Sequence, residues 1–174
     1  MDTIATALQK IGLEKPTWMT VIACAFQEVD IPAATLWEIW SELENWPVWS
    51  KPLHVATRWS GEVGWAVGGT FEQDLNLGFP LGKITSAETV GAVVPGESVM
   101  WWKENNGIRS CHIWAFETSG DSRTSITNVE VFHGLSIGLV RPLVAANWQR
   151  MFEQSVAGLI RQAQMKAAST GGRE

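Results

Sequence analysis

The chain has no tyrosine, only two cysteines, no cluster of cations and no long apolar run. Without tyrosine a common general acid is missing, and aromatic hydrogen bonding falls to indole N–H groups, which donate but never accept. Cys24 and Cys111 are too few for a disulfide framework, and their spacing matches no zinc motif, so they read as two buried, reduced thiols. The cations are scattered singly and the net charge is −5. That balance excludes a phosphate-backbone partner and disfavours an anionic membrane surface. No apolar stretch reaches about 18 residues, the length a membrane span requires. The first residues, "MDTIATALQKIGLEK", lack the basic start and apolar core of a signal peptide, so the cytoplasm is the expected compartment. Gly61, Gly64, Gly68 and Gly69 are followed by no Gly-Lys-Ser/Thr, which excludes a phosphate loop. His54, His112 and His133 sit in separate segments without ligand spacing, and neither a metal nor a cofactor is expected.

What the chain has in excess is tryptophan, 11 of 174 residues. Four of them, Trp37, Trp40, Trp46 and Trp49, fall within "LWEIWSELENWPVWSKP". Burying four indoles could contribute on the order of 20 kcal/mol, an upper bound. Exposed, they would form an adhesive apolar patch. The segment therefore covers something large and apolar, and the question is whether that is a filled core or a hollow one.

The pattern along the chain predicts a short helix over residues 2–12, capped by Asp2. A strand from Thr20 to Ile31 follows, then a helix opening at Pro32, then a second short helix or turn bounded by Pro47 and Pro52. From His54 to Gly134, six strand-like segments alternate with turn signals, among them the Asn-Gly of "ENNG" and a Gly-Asp turn at residues 120–121. Short connections imply antiparallel pairing. A long helix from about Val140 to Lys166 carries Val144, Trp148, Met151, Ser155, Leu159 and Gln162 as one stripe, with Pro142 in its first turn or kinking its start. This divides the chain into an N-terminal helical extension (1–19), one domain (20–168) and a frayed tail (169–174).

Three stretches carry a family resemblance: "IPAATLWEIWSELENWPVW", "GEVGWAVGGTF" and "HIWAFETSGDSRTSITNVEVFHG". Their order and spacing resemble the START-like or Bet v 1-like (SRPBCC) superfamily, and within it the polyketide cyclase/dehydrase-type ligand-binding proteins. The resemblance implies an α+β helix-grip fold, in which a curved seven-stranded antiparallel sheet wraps a long C-terminal helix and two short helices lie between strands 1 and 2. It also implies an apolar cavity between sheet and helix that holds a lipid, polyketide or similar molecule. The family's strand order would place Cys24 and Cys111 two strands apart, about 9–10 Å, beyond disulfide reach.

On that reading the cavity is lined from the sheet by Trp59, Trp65, Phe71, Leu75, Trp101, His112, Trp114, Phe116, Asn128, Glu130 and Phe132. The long helix contributes Val144, Asn147, Trp148, Met151, Phe152 and Ser155. Trp65 is either a lid over the cavity mouth or a packed loop residue. His112 and Glu130 are the candidates for proton transfer; equally, they hydrogen-bond each other or face outward. Arg58, Lys103 and Arg109 either clamp a ligand carboxylate or lie on a solvated face, and Asp74 and Glu88 are expected outside. No nucleophile–base pairing is visible.

Three functions remain open. The first is binding of an apolar, ring-containing small molecule, with indole faces stacking on it. The second is a cyclase, aromatase or dehydrase acting on a poly-β-ketone in the same cavity. The third is a solid-core module that binds another protein. Composition does not fix the oligomeric state.

Overall fold

Seven segments rich in β-branched and aromatic residues form the seven strands of one antiparallel sheet. The computed structural model describes residues 2–62, 64–120 and 122–171. Helix α1 (Thr3–Lys10) is capped by the Asp2 carboxylate, which accepts from the Ala5 N–H at 3.1 Å. Strand β1 (Thr20–Val29) leads to α2 (Ala33–Ser41), a single 3₁₀ turn (Leu43–Asn45) and the one-turn α3 (Trp46–Trp49). Strands β2 (His54–Trp59), β3 (Thr70–Asn76), β4 (Lys83–Val94), β5 (Ser98–Asn105), β6 (Ile108–Ser119) and β7 (Arg123–His133) follow in a meander. Helix α4 (Leu135–Gly171) ends the described chain. Of the tail, residues 169–171 continue this helix, and 172–174 lie outside the described residues, as does Asp121 of the Gly-Asp turn.

The spatial order is β1-β7-β6-β5-β4-β3-β2, so β1 and β2 are the sheet's edges. At the β5–β6 connection Asn106 and Gly107 both take positive φ, 51° and 72°, the conformation that suits a two-residue hairpin. The sheet curls around α4, and with the small helices at one end this is the helix-grip architecture. Its concave face supplies the main core, and α4 adds Val144, Trp148, Met151, Phe152, Val156, Leu159 and Ile160.

The convex face is apolar only where something covers it. Cys111, Ile113, Val129 and Val131 project outward from β6 and β7, and α1 buries them under Ala7, Leu8 and Ile11. Cys24 and Cys111 are both free thiols; Cys111 is buried, but Cys24 is partly exposed rather than buried as expected.

Helix α4 departs from the expected bounds. It begins at Leu135, and Pro142 lies inside it rather than in its first turn. Two close approaches seat the helix. Gly158 lies against α3, where a methyl group would fall 2.9 Å from the Trp49 carbonyl carbon and closer still to its oxygen. The Gln149 side chain reaches the outer edge of β1, accepting from the Cys24 N–H at 3.0 Å and donating to the Cys24 carbonyl at 2.6 Å.

Candidate functional site

The tryptophan-rich end is filled. Trp40 and Trp46 are 0% and 1% exposed, and their rings mesh with those of the β-strands rather than surrounding a void. Trp65, from the β2–β3 loop, stacks on Trp40 at 4.5 Å and donates its indole N–H to the Ser41 carbonyl. Trp59 and Phe71 meet Trp65 edge-on at 5.0 and 5.5 Å. Trp101, Trp114 and Phe116 complete the plug from β5 and β6. These six residues, expected along the cavity wall, pack mainly against one another and against the short helices.

The void lies beyond them, toward the other end of the sheet, in two adjoining parts. The outer part is a cleft of about 350 Å³ between α4 and the sheet. Leu77, Leu81, Ile84, Ile108 and Phe132 line it from the sheet side, and Ile137, Val140 and Trp148 from the helix. The inner part is much smaller, about 40 Å³. Leu77, Ile84, Lys103, Phe132 and Trp148 border both.

Polar side chains face the inner chamber from two directions. On one wall His112 sits between Trp101 and Phe152, with ring centroids 4.3 and 5.1 Å away. Its Nδ1 lies 3.0 Å from the Glu130 carboxylate, and its Nε2 lies 2.6 Å from Asn128 Oδ1. The pair thus hydrogen-bond each other inside the protein. Asn128 stands behind the ring and orients it rather than lining the chamber.

The opposite wall was not foreseen. There a hydrogen-bond relay runs from α4 across β2, β3 and β4. Burial lowers the His54 pKa to about 3, with the neighbouring His112 adding to the shift, so the imidazole is neutral. Gln73 Oε1, 3.0 Å from His54 Nε2, can only accept, so Nε2 carries the proton. Nδ1 then accepts from the Ser50 hydroxyl at 2.7 Å, and Ser50 in turn accepts from Ser155 at 2.6 Å. Further along, the Gln73 amide donates to Glu88 Oε1 at 3.2 Å. Glu88 also accepts from Ser86 at 2.5 Å and from the Lys103 ammonium at 3.1 Å, while Lys103 donates to Ser86 as well.

Glu88 is therefore interior, contrary to expectation. It shares its alternation phase with Ile84, Ser86 and Val90, and the amide, hydroxyl and ammonium around it are the donors its charge requires. Lys103 likewise follows the phase of Val99 and Trp101 inward. Asp74 is outside as expected, paired with Arg58 at 3.0 Å on the convex face. Arg109 donates to the Ile11 carbonyl beside α1. The three cations considered as a clamp are thus not brought together.

Leu75, Met151 and Phe152 line the inner chamber with His112, Glu130, Phe132 and Trp148. Val144 is buried in the core of α4. Asn147 borders neither part of the void; it donates to the Leu77 carbonyl at 3.2 Å. Ser155 is committed to the relay. The indole N–H groups of Trp40, Trp49, Trp101 and Trp148 are buried without a hydrogen-bond partner.

A family model described as polyketide cyclase / dehydrase and lipid transport matches residues 23–164. No curated protein matches the chain in sequence. Among solved structures, the Zhui aromatase/cyclase from Streptomyces sp. R1128 is similar at 16% identity and TM-score 0.64, covering 88% of this chain and 99% of that one. A protein from Thermus thermophilus is similar at 15% identity and TM-score 0.65, covering 83% and 98%. The norcoclaurine synthase of Thalictrum flavum is similar at 16% identity and TM-score 0.58, covering 81% and 86%.

Proposed function

Because the chain belongs to the polyketide cyclase/dehydrase and lipid transport family of the Bet v 1-like superfamily, we propose that it binds an apolar, ring-containing small molecule between the sheet and α4. The observation that carries this reading is the cleft of about 350 Å³, apolar along most of its wall and ending in a polar floor. Pockets of roughly 300–1,000 Å³ with a few placed polar groups are typical of small-molecule sites. Trp148 and Phe132, with centroids 4.5 Å apart, offer aromatic surface to a planar guest.

The test is a titration with 2-naphthalenemethanol and flavone, followed by tryptophan emission and calorimetry. Wild type should bind at least one saturably. Val140→Trp should block the cleft and abolish binding while leaving the unfolding transition in place. Absence of binding by wild type, or unchanged affinity in the Val140→Trp variant, would overturn this reading.

A second reading is favoured by the His112–Glu130 pair. The Glu130 carboxylate, at the chamber wall and positioned by His112, can take a proton from the carbon between two ketones, leaving an enolate. The same cleft would then hold a poly-β-ketone during aldol closure or loss of water. His112→Ala and Glu130→Ala should each collapse turnover while 2-naphthalenemethanol still binds; unaltered turnover in both removes them from the chemistry.

A further inference from the structure

The charges on the chamber floor carry a statement about which ligands the cleft accepts, one that rests on the cleft being a ligand site. Lys103 is the one Lys or Arg side chain bordering either part of the void among the described residues. It is not an open anion receptor. Glu88, with a side chain only 3% exposed, holds its ammonium at 3.1 Å. Gln73 and Ser86 donate to the same carboxylate oxygen, which fixes Glu88 in its charged, accepting role. A second carboxylate, Glu130, stands on the facing wall beside His112. Two histidines also border the chamber: His54 is neutral, and both ring nitrogens of His112 already face protein oxygens, those of Glu130 and Asn128. Each basic side chain of the floor is thus already engaged by a protein oxygen, so a ligand carboxylate finds no free counter-charge there. A third carboxylate from a ligand would add repulsion where screening is weak. The groups left for a guest are one partly exposed ammonium and one carboxylate oxygen at the wall. Such a set suits an uncharged oxygen that can both accept and donate.

We infer that the cleft selects by charge: it takes apolar molecules ending in a hydroxyl or ketone, and Glu88 is the specificity residue that turns carboxylates away. With Glu88 made neutral, Lys103 becomes an available counter-charge and the preference shifts toward acids.

The experiment compares 2-naphthalenemethanol with 2-naphthoate, equal in ring and different in charge, by calorimetry at pH 7. Wild type should bind the alcohol at least about tenfold more tightly than the acid, and Glu88→Gln should narrow that ratio by about tenfold or invert it, through stronger binding of naphthoate. Glutamine keeps the acceptor for Gln73 and Ser86, so the floor stays hydrogen-bonded. Lys103→Met, which leaves Glu88 without its cation, should widen the ratio. A ratio unchanged in both variants, with both probes still binding, overturns charge selection and leaves the cleft as a binding site. Failure of wild type to bind either probe overturns the site itself, and this inference with it.

Discussion

Acid should unfold this protein through His54. The imidazole is held neutral in the native state, its pKa lowered from 6.5 to about 3 by burial. Between those two pH values the unfolded chain binds a proton that the native chain refuses. Stability conferred by the neutral ring is therefore complete above pH 6.5 and is lost as pH falls toward 3. The loss is about 1.4 kcal/mol per pH unit, or about 3 kcal/mol between pH 6.5 and pH 4. Domains of this size commonly have only 5–15 kcal/mol in total. The relay explains why the ring cannot charge in place. Protonating Nδ1 would set its new N–H against the Ser50 hydroxyl, whose own proton would have to turn away. The assay is urea unfolding by tryptophan fluorescence from pH 7 to pH 4, for wild type and His54→Gln. The variant should be less stable at pH 7, having lost the bond to Ser50, but should fall less steeply with acid. His133, whose pKa is also lowered by burial, acts equally in both proteins and cancels in the comparison. Parallel acid limbs in the two proteins would refute the reasoning, as would a proton NMR titration placing His54 near 6.5 in the native state.

Other perturbations test the packing that frames the cleft. Gly158→Ala should destabilise by about 2 kcal/mol or more, because the added methyl meets backbone of α3 that cannot rotate away. A midpoint raised in urea, as expected from alanine's helix propensity alone, would contradict that contact. Leu8→Ala, which thins the cover over Cys111, Val129 and Val131, should cost about 2–5 kcal/mol by chemical denaturation, and a cost near zero would mean α1 is not docked. Asn147→Ala removes the tie between α4 and the Leu77 carbonyl, so amide exchange over residues 77–82 should quicken and affinity for 2-naphthalenemethanol should fall several-fold. Unaltered exchange there would show that the loop holds itself.

Much of the fold is written in local pattern. Strand-forming residues bounded by turn signals mark β6 and β7, and Asn106–Gly107 can scarcely be anything but a hairpin turn. The start of α4 was hidden for a physical reason. Leu135, Leu139 and Leu143 are exposed and blur the inward stripe of Ile137, Val140 and Val144, and Pro142 imitates a helix beginning. The site was legible in part. His112, Glu130, Phe132, Trp148, Met151 and Phe152 follow from the phase of their strands and helix. Glu88 and Lys103 share phase with apolar neighbours too, but charge is so often a mark of solvent that the phase was outweighed. Which end of the sheet is hollow depends on how side-chain volumes sum across strands far apart in sequence. Eleven indoles reveal that a large interior exists, not where it runs out of atoms.

The grip of Gln149 on Cys24 has a consequence beyond seating the helix. Strand β1 borders open space, and a bare strand margin is a template on which a second polypeptide can lay itself. At Cys24 that template is already occupied by a single carboxamide that copies the donor and acceptor of a peptide unit. The helix that covers the cleft thus also caps that margin at Cys24, and any displacement of α4 would uncover both at once.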